Sequence, residues 1–194
     1  MSEETLSRES AEQIVRETRE WLEKAVIGLN LCPFARAVYL RDQVRFVVSP
    51  AETPADLLLD LADELHFLDE ADPEGVDTTL IIHPHVLHDF LEYNDFLGDA
   101  EQTVEDLDFD GEIQVASFHP RYQFAGTEPD DIENFTNRSP YPMLHLLREA
   151  SVSRAVESIP DPAQIYEANI ETMKRLGHEG WRRLFPGRND ERED

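Results

Sequence analysis

The chain has 194 residues, of which 40% are hydrophobic, and this fits one folded domain with a substantial core. Its 42 acidic and 17 basic residues give a net charge of −25 at pH 7. A surface this negative repels nucleic-acid backbones and anionic membranes, so we predict neither as a partner. Because the start lacks a signal-peptide pattern and one cysteine cannot form an internal disulfide, we predict a cytoplasmic protein.

The first third of the chain predicts two helices, a strand and a further helix. A capping box at Ser10 opens an amphipathic helix that reaches about residue 30. Cys32 then takes an N-cap-like position, with a proline in the favoured first slot of a short helix over 33–40. The sequence QVRFVVSP (43–50) predicts a strand, and Thr53 opens a long leucine-rich helix.

The middle of the chain alternates strands with one helix. The segments 77–84 (DTTLIIHP) and 112–120 (EIQVASFHP) predict strands, and 85–97 between them predicts a helix. Residues 119–141 show no periodicity and are rich in Pro, Asn, Asp and Gly, which is typical of a functional loop. The segment 142–150 (PMLHLLREA) predicts a helix.

The last part predicts more helix and a polar tail. The helix of 142–150 is expected to continue through SVSRAVES, and a further helix opens on Asp161 and Pro162 and stops at Gly177. The ends 1–9 and 186–194 are expected to be disordered. We therefore predict a single domain over 1–194 of α/β (or α+β) class, with a small sheet of about three or four strands packed by helices.

All three predicted strands end in proline-containing turns, SP at 49–50 and HP at 83–84 and 119–120. If the strands are parallel, these turns share one edge of the sheet, and ligands of open α/β sheets bind at such an edge. Cys32 at a helix N-terminus and His119 are the candidate catalytic groups there, as nucleophile or as acid and base. The alternative for Cys32 is a small buried apolar residue.

An anion site is the candidate for substrate binding. Guanidinium groups suit bidentate capture of carboxylate or phosphate. The candidate residues lie in or near the three elements that can meet: Arg36, Arg121, Tyr122, Arg138 and Tyr141. The alternative is that each arginine neutralises one of the many acids nearby. No cofactor is predicted, although His83, His85 and His119 could ligate a divalent metal.

Two segments, WLEKAVIGLNLCPFA (21–35) and SFHPRYQFAGTEPDDIENFTNRSPYPMLHLLRE (117–149), resemble a bacterial family catalogued as domain of unknown function fourteen-fifteen. The resemblance implies one domain in a bacterial cytoplasm and assigns no catalytic residue. Our leading hypothesis is an enzyme that acts on a small anionic metabolite at the strand ends. The alternatives are a non-catalytic binding or interaction protein that uses the 119–141 loop, and a metal-dependent enzyme.

The excess of carboxylates over lysines has a further implication. Only Lys24 and Lys174 are lysines, and counter-ions of a high-salt cytoplasm would screen the repulsion among the acids. The hypothesis is therefore a salt-tolerant or halophilic source. We expect the melting temperature to rise when salt is added in a thermal scan, and a constant or falling melting temperature would count against the hypothesis.

Overall fold

The computed structural model of the protein describes residues 3–157 and 163–186. The helices are α1 (Glu3–Trp21), α2 (Ala35–Leu40), α3 (Pro54–Glu70), α4 (Phe90–Asp106), α5 (Glu149–Glu157) and α6 (Ala163–Leu184). The strands are β1 (Val44–Val48), β2 (Thr78–Ile82), β3 (Ile113–Phe118) and β4 (Met143–Arg148). A π-helix, Leu22–Ile27, continues α1, and a 3₁₀-helix, Ile132–Asn137, lies in the loop between β3 and β4.

The strands form one sheet in the order β1-β2-β4-β3, which confirms the α/β fold with a small sheet. β1 and β2 are parallel, and β4 is antiparallel to both of its neighbours, β2 and β3. β3 therefore runs in the same direction as β1 and β2. The turns that follow Val48, Ile82 and Phe118 accordingly lie at one edge of the sheet, as the sequence predicts for parallel strands.

Side chains alternate between the two faces of the sheet and build one core layer on each. On the first face, here called the α3/α4 face, Ile81 and Leu144 join a cluster with buried residues of α3 and α4. On the second, the α1/α6 face, Leu80 and Met143 join a cluster that includes Trp21 and residues of α6. All five residues of β2 are buried, as expected for a strand covered on both faces.

The helix starts agree with the sequence in one case and differ in another. Thr53 caps α3 as predicted, because its Oγ1 accepts the backbone N–H of Asp56 at 3.2 Å. The capping box at Ser10 is wrong, because α1 begins at Glu3 and Ser10 lies inside it. Residues 3–9, within the segment 1–9 that is expected to be disordered, form the first part of α1, and the expectation itself stays a prediction.

The prediction of a helix over 142–150 is wrong for its first part, because Met143–Arg148 forms β4. A short, mostly apolar run is compatible with a buried helix and with a buried strand. Here it forms a strand, because the sheet provides hydrogen-bonding partners on both sides. The helix prediction is correct from Glu149, where α5 begins. His145, predicted to lie in a helix, therefore lies on β4 in the interior of the sheet.

The C-terminal helix extends beyond its predicted end. α6 reaches Leu184, and Gly177 interrupts it with φ 62° and ψ 173°, a backbone conformation that glycine adopts without strain. The predicted start at Asp161 and Pro162 and the tail from residue 187 onward lie outside the described residues. None of the helices in the described ranges has both the length and the apolar character that crossing a membrane requires.

Candidate functional site

A cavity of about 750 Å³ lies against the α1/α6 face of the sheet. β2, β4 and β3 form its floor, and the π-helix, residues 32–41 and α5 form its walls. Most of the side chains around it are apolar or aromatic, among them Trp21, Leu22, Val26, Leu80, Phe118 and Val152. Both the size and the apolar lining are typical of sites for small organic molecules.

The π-helix Leu22–Ile27 shapes one wall of this cavity. Its residues Leu22 and Val26 line the cavity. The carbonyl of Val26 accepts the backbone N–H of Leu31 at 2.9 Å and that of Cys32 at 3.5 Å, so the turn after the π-helix is tied back to it. Turns of π-helix are rare and frequently occur at functional sites.

His145 occupies the floor of the cavity. It lies on β4, directly between Leu80 of β2 and Ala116 of β3. Nε2 of His145 is 2.6 Å from Oγ1 of Thr78, and the same oxygen is 2.6 Å from the carbonyl of Leu146. The hydroxyl has one proton, which it donates to the carbonyl, so it accepts the other bond from Nε2–H. Thr78 thereby selects the tautomer of His145 that carries its proton on Nε2.

The second ring nitrogen, Nδ1, then carries a lone pair. No group in the described part of the chain pairs with Nδ1, and this atom keeps access to the cavity that the ring lines. Burial lowers the pKa of His145 to about 4, so the ring is neutral at pH 7. A neutral imidazole with an open lone pair is suited to accept a proton or a hydrogen bond from a ligand.

Cys32 lines the same cavity, but it does not cap a helix. The N-cap of α2 is Phe34 and the helix starts at Ala35, so the predicted N-cap position of Cys32 is wrong. The chain turns before α2 instead, with Asn30 at φ 55°. Cys32 is half-buried and packs against the core cluster of the α1/α6 face.

Polar groups collect at one end of the cavity, beside the first residues of β1 and β2. Asp77 accepts a hydrogen bond from Oγ of Ser151 at 2.6 Å, and Ser151 accepts one from Arg154 at 2.9 Å, which links α5 to the sheet. The side chain of Gln43 donates to two backbone carbonyls there. Arg41 and Arg154, both exposed, are the arginines that line the cavity.

His119, the second predicted catalytic residue, lies on the α3/α4 face. Its Nε2 is 3.2 Å from the carbonyl of Leu87, its Nδ1 accepts the N–H of Arg121 at 3.0 Å, and its ring centroid is 5.0 Å from that of Tyr93. Because both nitrogens are paired with the backbone, His119 stabilises the turn after β3. The structure therefore does not bring His119 together with Cys32, which lies on the other face.

The three histidines that were predicted as alternative metal ligands lie in different surroundings. His83 is buried, with Nδ1 3.1 Å from the carbonyl of Val86 and its ring stacked on Tyr93, whereas His85 is exposed. Within residues 3–157 and 163–186, no three His, Cys, Asp or Glu side chains are placed to hold a metal ion. The set of His83, His85 and His119 is thus not a metal centre in this arrangement.

The arginines predicted to bind an anion lie outside the cavity. Arg36 and Arg121 are exposed. Arg138 donates to the carbonyls of Tyr122 at 3.2 Å and Pro129 at 2.6 Å, and its guanidinium lies 4.1 Å from the ring centre of Phe135. These contacts hold the 119–141 loop together, so Arg138 has a structural role.

The predicted aromatic residues of that loop are packed against the rest of the chain. The ring of Tyr122 lies 5.3 Å from that of Phe90, and the hydroxyl of Tyr141 donates to Glu17 at 2.6 Å. Both tyrosines are half-buried. The loop is therefore an ordered part of the fold, and its aromatic side chains do not form a flat exposed patch.

His145 and Thr78 were missed as site residues in the sequence. His145 follows the proline-rich SPYP segment and lies in a short apolar run, 143–148, that is compatible with a strand as well as with a helix. The sequence signal for such a polar pair is a histidine within one apolar run and two threonines at the start of another. The pairing of β2 with β4, which joins the two, has no counterpart in the local sequence.

Fold and site together define an α/β protein with a small-molecule-sized cavity against one face of its sheet, lined by an imidazole whose Nδ1 has no partner among residues 3–157 and 163–186. The chain belongs to the family described as Protein of unknown function (DUF1415), whose family model matches residues 13–183. This confirms the resemblance of the two quoted segments. Neither a curated protein nor a solved structure matches the chain.

Proposed function

We propose that the protein is an enzyme that converts a small, mainly apolar organic molecule in the cavity, with His145 as the general base. The observation that supports this most directly is Nδ1 of His145, which is unpaired within the described ranges and open to a cavity of about 750 Å³. A ring nitrogen that lines a cavity and has no partner among the described residues is available to a ligand, which favours a role in binding or catalysis.

The neutral state of this ring is the state that a general base requires, although the low pKa makes the ring a weak base. With a pKa of about 4, His145 is already deprotonated at pH 7 and can accept a proton from a hydroxyl, thiol or amine of the substrate. Thr78 keeps the proton on the far nitrogen, as the orienting group does in a catalytic triad. The substrate class follows as an apolar molecule that carries a proton-donating group.

This proposal changes the expected substrate from an anionic metabolite to a mainly apolar one. The residues predicted for anion binding do not line the cavity, and its floor is formed by uncharged side chains. An anionic group of the substrate, where there is one, would lie at the polar end near Arg41 and Arg154. The cytoplasmic location, the bacterial source and the salt tolerance stay predictions from the sequence.

Binding of small apolar alcohols, phenols and amines tests the proposal without knowledge of the reaction. In protein labelled with ¹⁵N-histidine, we expect cyclohexanol, 4-ethylphenol or benzylamine to shift the imidazole signals of His145. The expected cause is a hydrogen bond from the ligand to Nδ1. Exposed His85 provides the internal control, because its signals should not move. If no compound of this kind shifts His145, the proposal fails.

A cavity-filling variant makes the same test specific for the site. Ala116 lines the cavity next to His145, so Ala116→Phe is expected to abolish the ligand-induced shift while the protein remains folded. Ala125→Phe, at an exposed position of the 119–141 loop, is the matched control and should bind as the wild type does. Equal binding by both variants would place the ligand elsewhere.

A further inference from the structure

The cavity contains a second group with reactive chemistry, the thiol of Cys32. This residue is the only cysteine of the chain, and it lines the cavity together with His145. Its backbone is fixed on both sides, because its N–H donates to Val26 and its carbonyl accepts the N–H of Ala35 at 3.2 Å. No described residue forms a hydrogen bond with its sulfur. One cavity is thus lined by a thiol and by an imidazole nitrogen that have no hydrogen-bond partner among the described residues.

We propose that Cys32 is a nucleophile that accepts an acyl group from a small apolar ester or thioester, with His145 as its base. This inference rests on the proposed function, because it uses the same cavity and the same base. A nucleophile, a base and a third group that orients the base are the elements of covalent acyl transfer, and Cys32, His145 and Thr78 supply them.

The acylation step conserves atoms and charge as follows. The sulfur of Cys32 forms a bond to the carbonyl carbon of the substrate, while the bond from that carbon to its leaving oxygen or sulfur breaks. The thiol proton passes to Nδ1 of His145, directly or through one water molecule, and then to the leaving group. The products are a thioester on Cys32 and a free alcohol or thiol.

Hydrolysis of this thioester restores the protein. Water attacks the carbonyl carbon, the carbon–sulfur bond breaks, and His145 transfers a proton from the water to the departing sulfur. The released product is a carboxylic acid. No oxidant, reductant or metal ion takes part in either step.

The walls of the cavity determine which acyl group fits. Trp21, Leu22, Val26 and Phe118 line it together with Cys32, so the acyl chain should be apolar. Thr78 is uncharged and desolvation disfavours the charged form of His145, so the imidazolium formed during reaction receives little stabilisation. We therefore expect slow turnover and a thioester that persists long enough to be detected.

Mass spectrometry of the full chain after brief exposure to 4-nitrophenyl butyrate tests the inference. The expected product is a butyryl thioester that peptide mapping locates on Cys32. Cys32→Ala should form no adduct. His145→Gln, which keeps a donor toward Thr78, should slow acylation about 100-fold or more. Absence of an adduct on Cys32 in the wild type would overturn the inference.

Two matched variants separate the role of His145 from general damage. His85→Gln changes an exposed histidine and should acylate at the wild-type rate, whereas Ala116→Phe should block the adduct by filling the cavity. An unchanged acylation rate in His145→Gln would also overturn the inference. If apolar ligands shift the signals of His145 but Cys32 is never acylated, this inference fails and the proposed function stands.

Discussion

Lowering the pH from 7 to 5 is expected to remove about 6 kcal/mol from the free energy of unfolding, about 2 kcal/mol for each of three histidines inside the fold. Burial lowers the pKa of His83, His119 and His145 from 6.5 to about 4 in each case. The unfolded chain, with ordinary histidines, binds protons more readily than the folded chain over this range. The contribution of the three neutral histidines to the free energy of unfolding is therefore present above pH 6.5 and is lost as the pH falls toward 4.

Urea unfolding at several pH values between 7 and 5 measures this effect. His83→Phe keeps a ring against Tyr93 and removes one titrating group, so the loss of stability on acidification should shrink by about one third relative to the wild type. His85→Gln is the control at an exposed position and should leave the pH dependence as it is. A free energy of unfolding that is constant or rises from pH 7 to pH 5 would contradict the prediction.

Tyr93→Phe is expected to lower the free energy of unfolding by about 2–4 kcal/mol, although it removes a single oxygen atom. Tyr93 is fully buried, and its hydroxyl donates to the carbonyl of Met143 at 2.8 Å and accepts the N–H of Phe118 at 3.2 Å. The oxygen thus joins the end of β3 to the start of β4. Phenylalanine keeps the ring contacts with His83 and His119 but leaves two backbone groups without this partner.

Two measurements check the effect of this substitution. Urea unfolding gives its size, and hydrogen exchange should show faster exchange of the Phe118 amide, because that group loses its acceptor. Tyr166→Phe, at an exposed tyrosine of α6, is the matched control and should change stability by less than about 0.5 kcal/mol. A Tyr93→Phe protein as stable as this control would show that the hydroxyl bridge is unimportant.

Local patterns in the sequence predict much of the fold. Thr53 followed by a proline specifies the start of α3, and the short apolar segments around Phe46, Leu80 and Val115 specify three of the four strands. These predictions succeed because capping and apolar alternation act over a few residues. The fourth strand was missed because the run 143–148 is compatible with both helix and strand until its neighbours in the sheet are known.

The candidate site was less predictable for the same reason. Cys32 was identified from its sequence context, but its relation to His119 depended on which face of the sheet each residue occupies. A strand side chain changes face with every position, so adjacent residues such as Phe118 and His119 lie on opposite sides. Only the register of β4 with β2 brings Thr78 to His145, and that pairing joins segments 67 positions apart.

The position of β4 in the sheet has a consequence for how the protein folds. β4 is the last strand of the described residues, yet it lies between β2 and β3, so β3 has no partner strand until residues 143–148 have been added. β1 and β2 can pair earlier, whereas the rest of the sheet waits for a contact between distant segments, which slows folding. During synthesis on the ribosome, the edge of β2 stays open until β4 emerges. Since β4 also carries His145, the proposed base reaches its place only when the sheet closes.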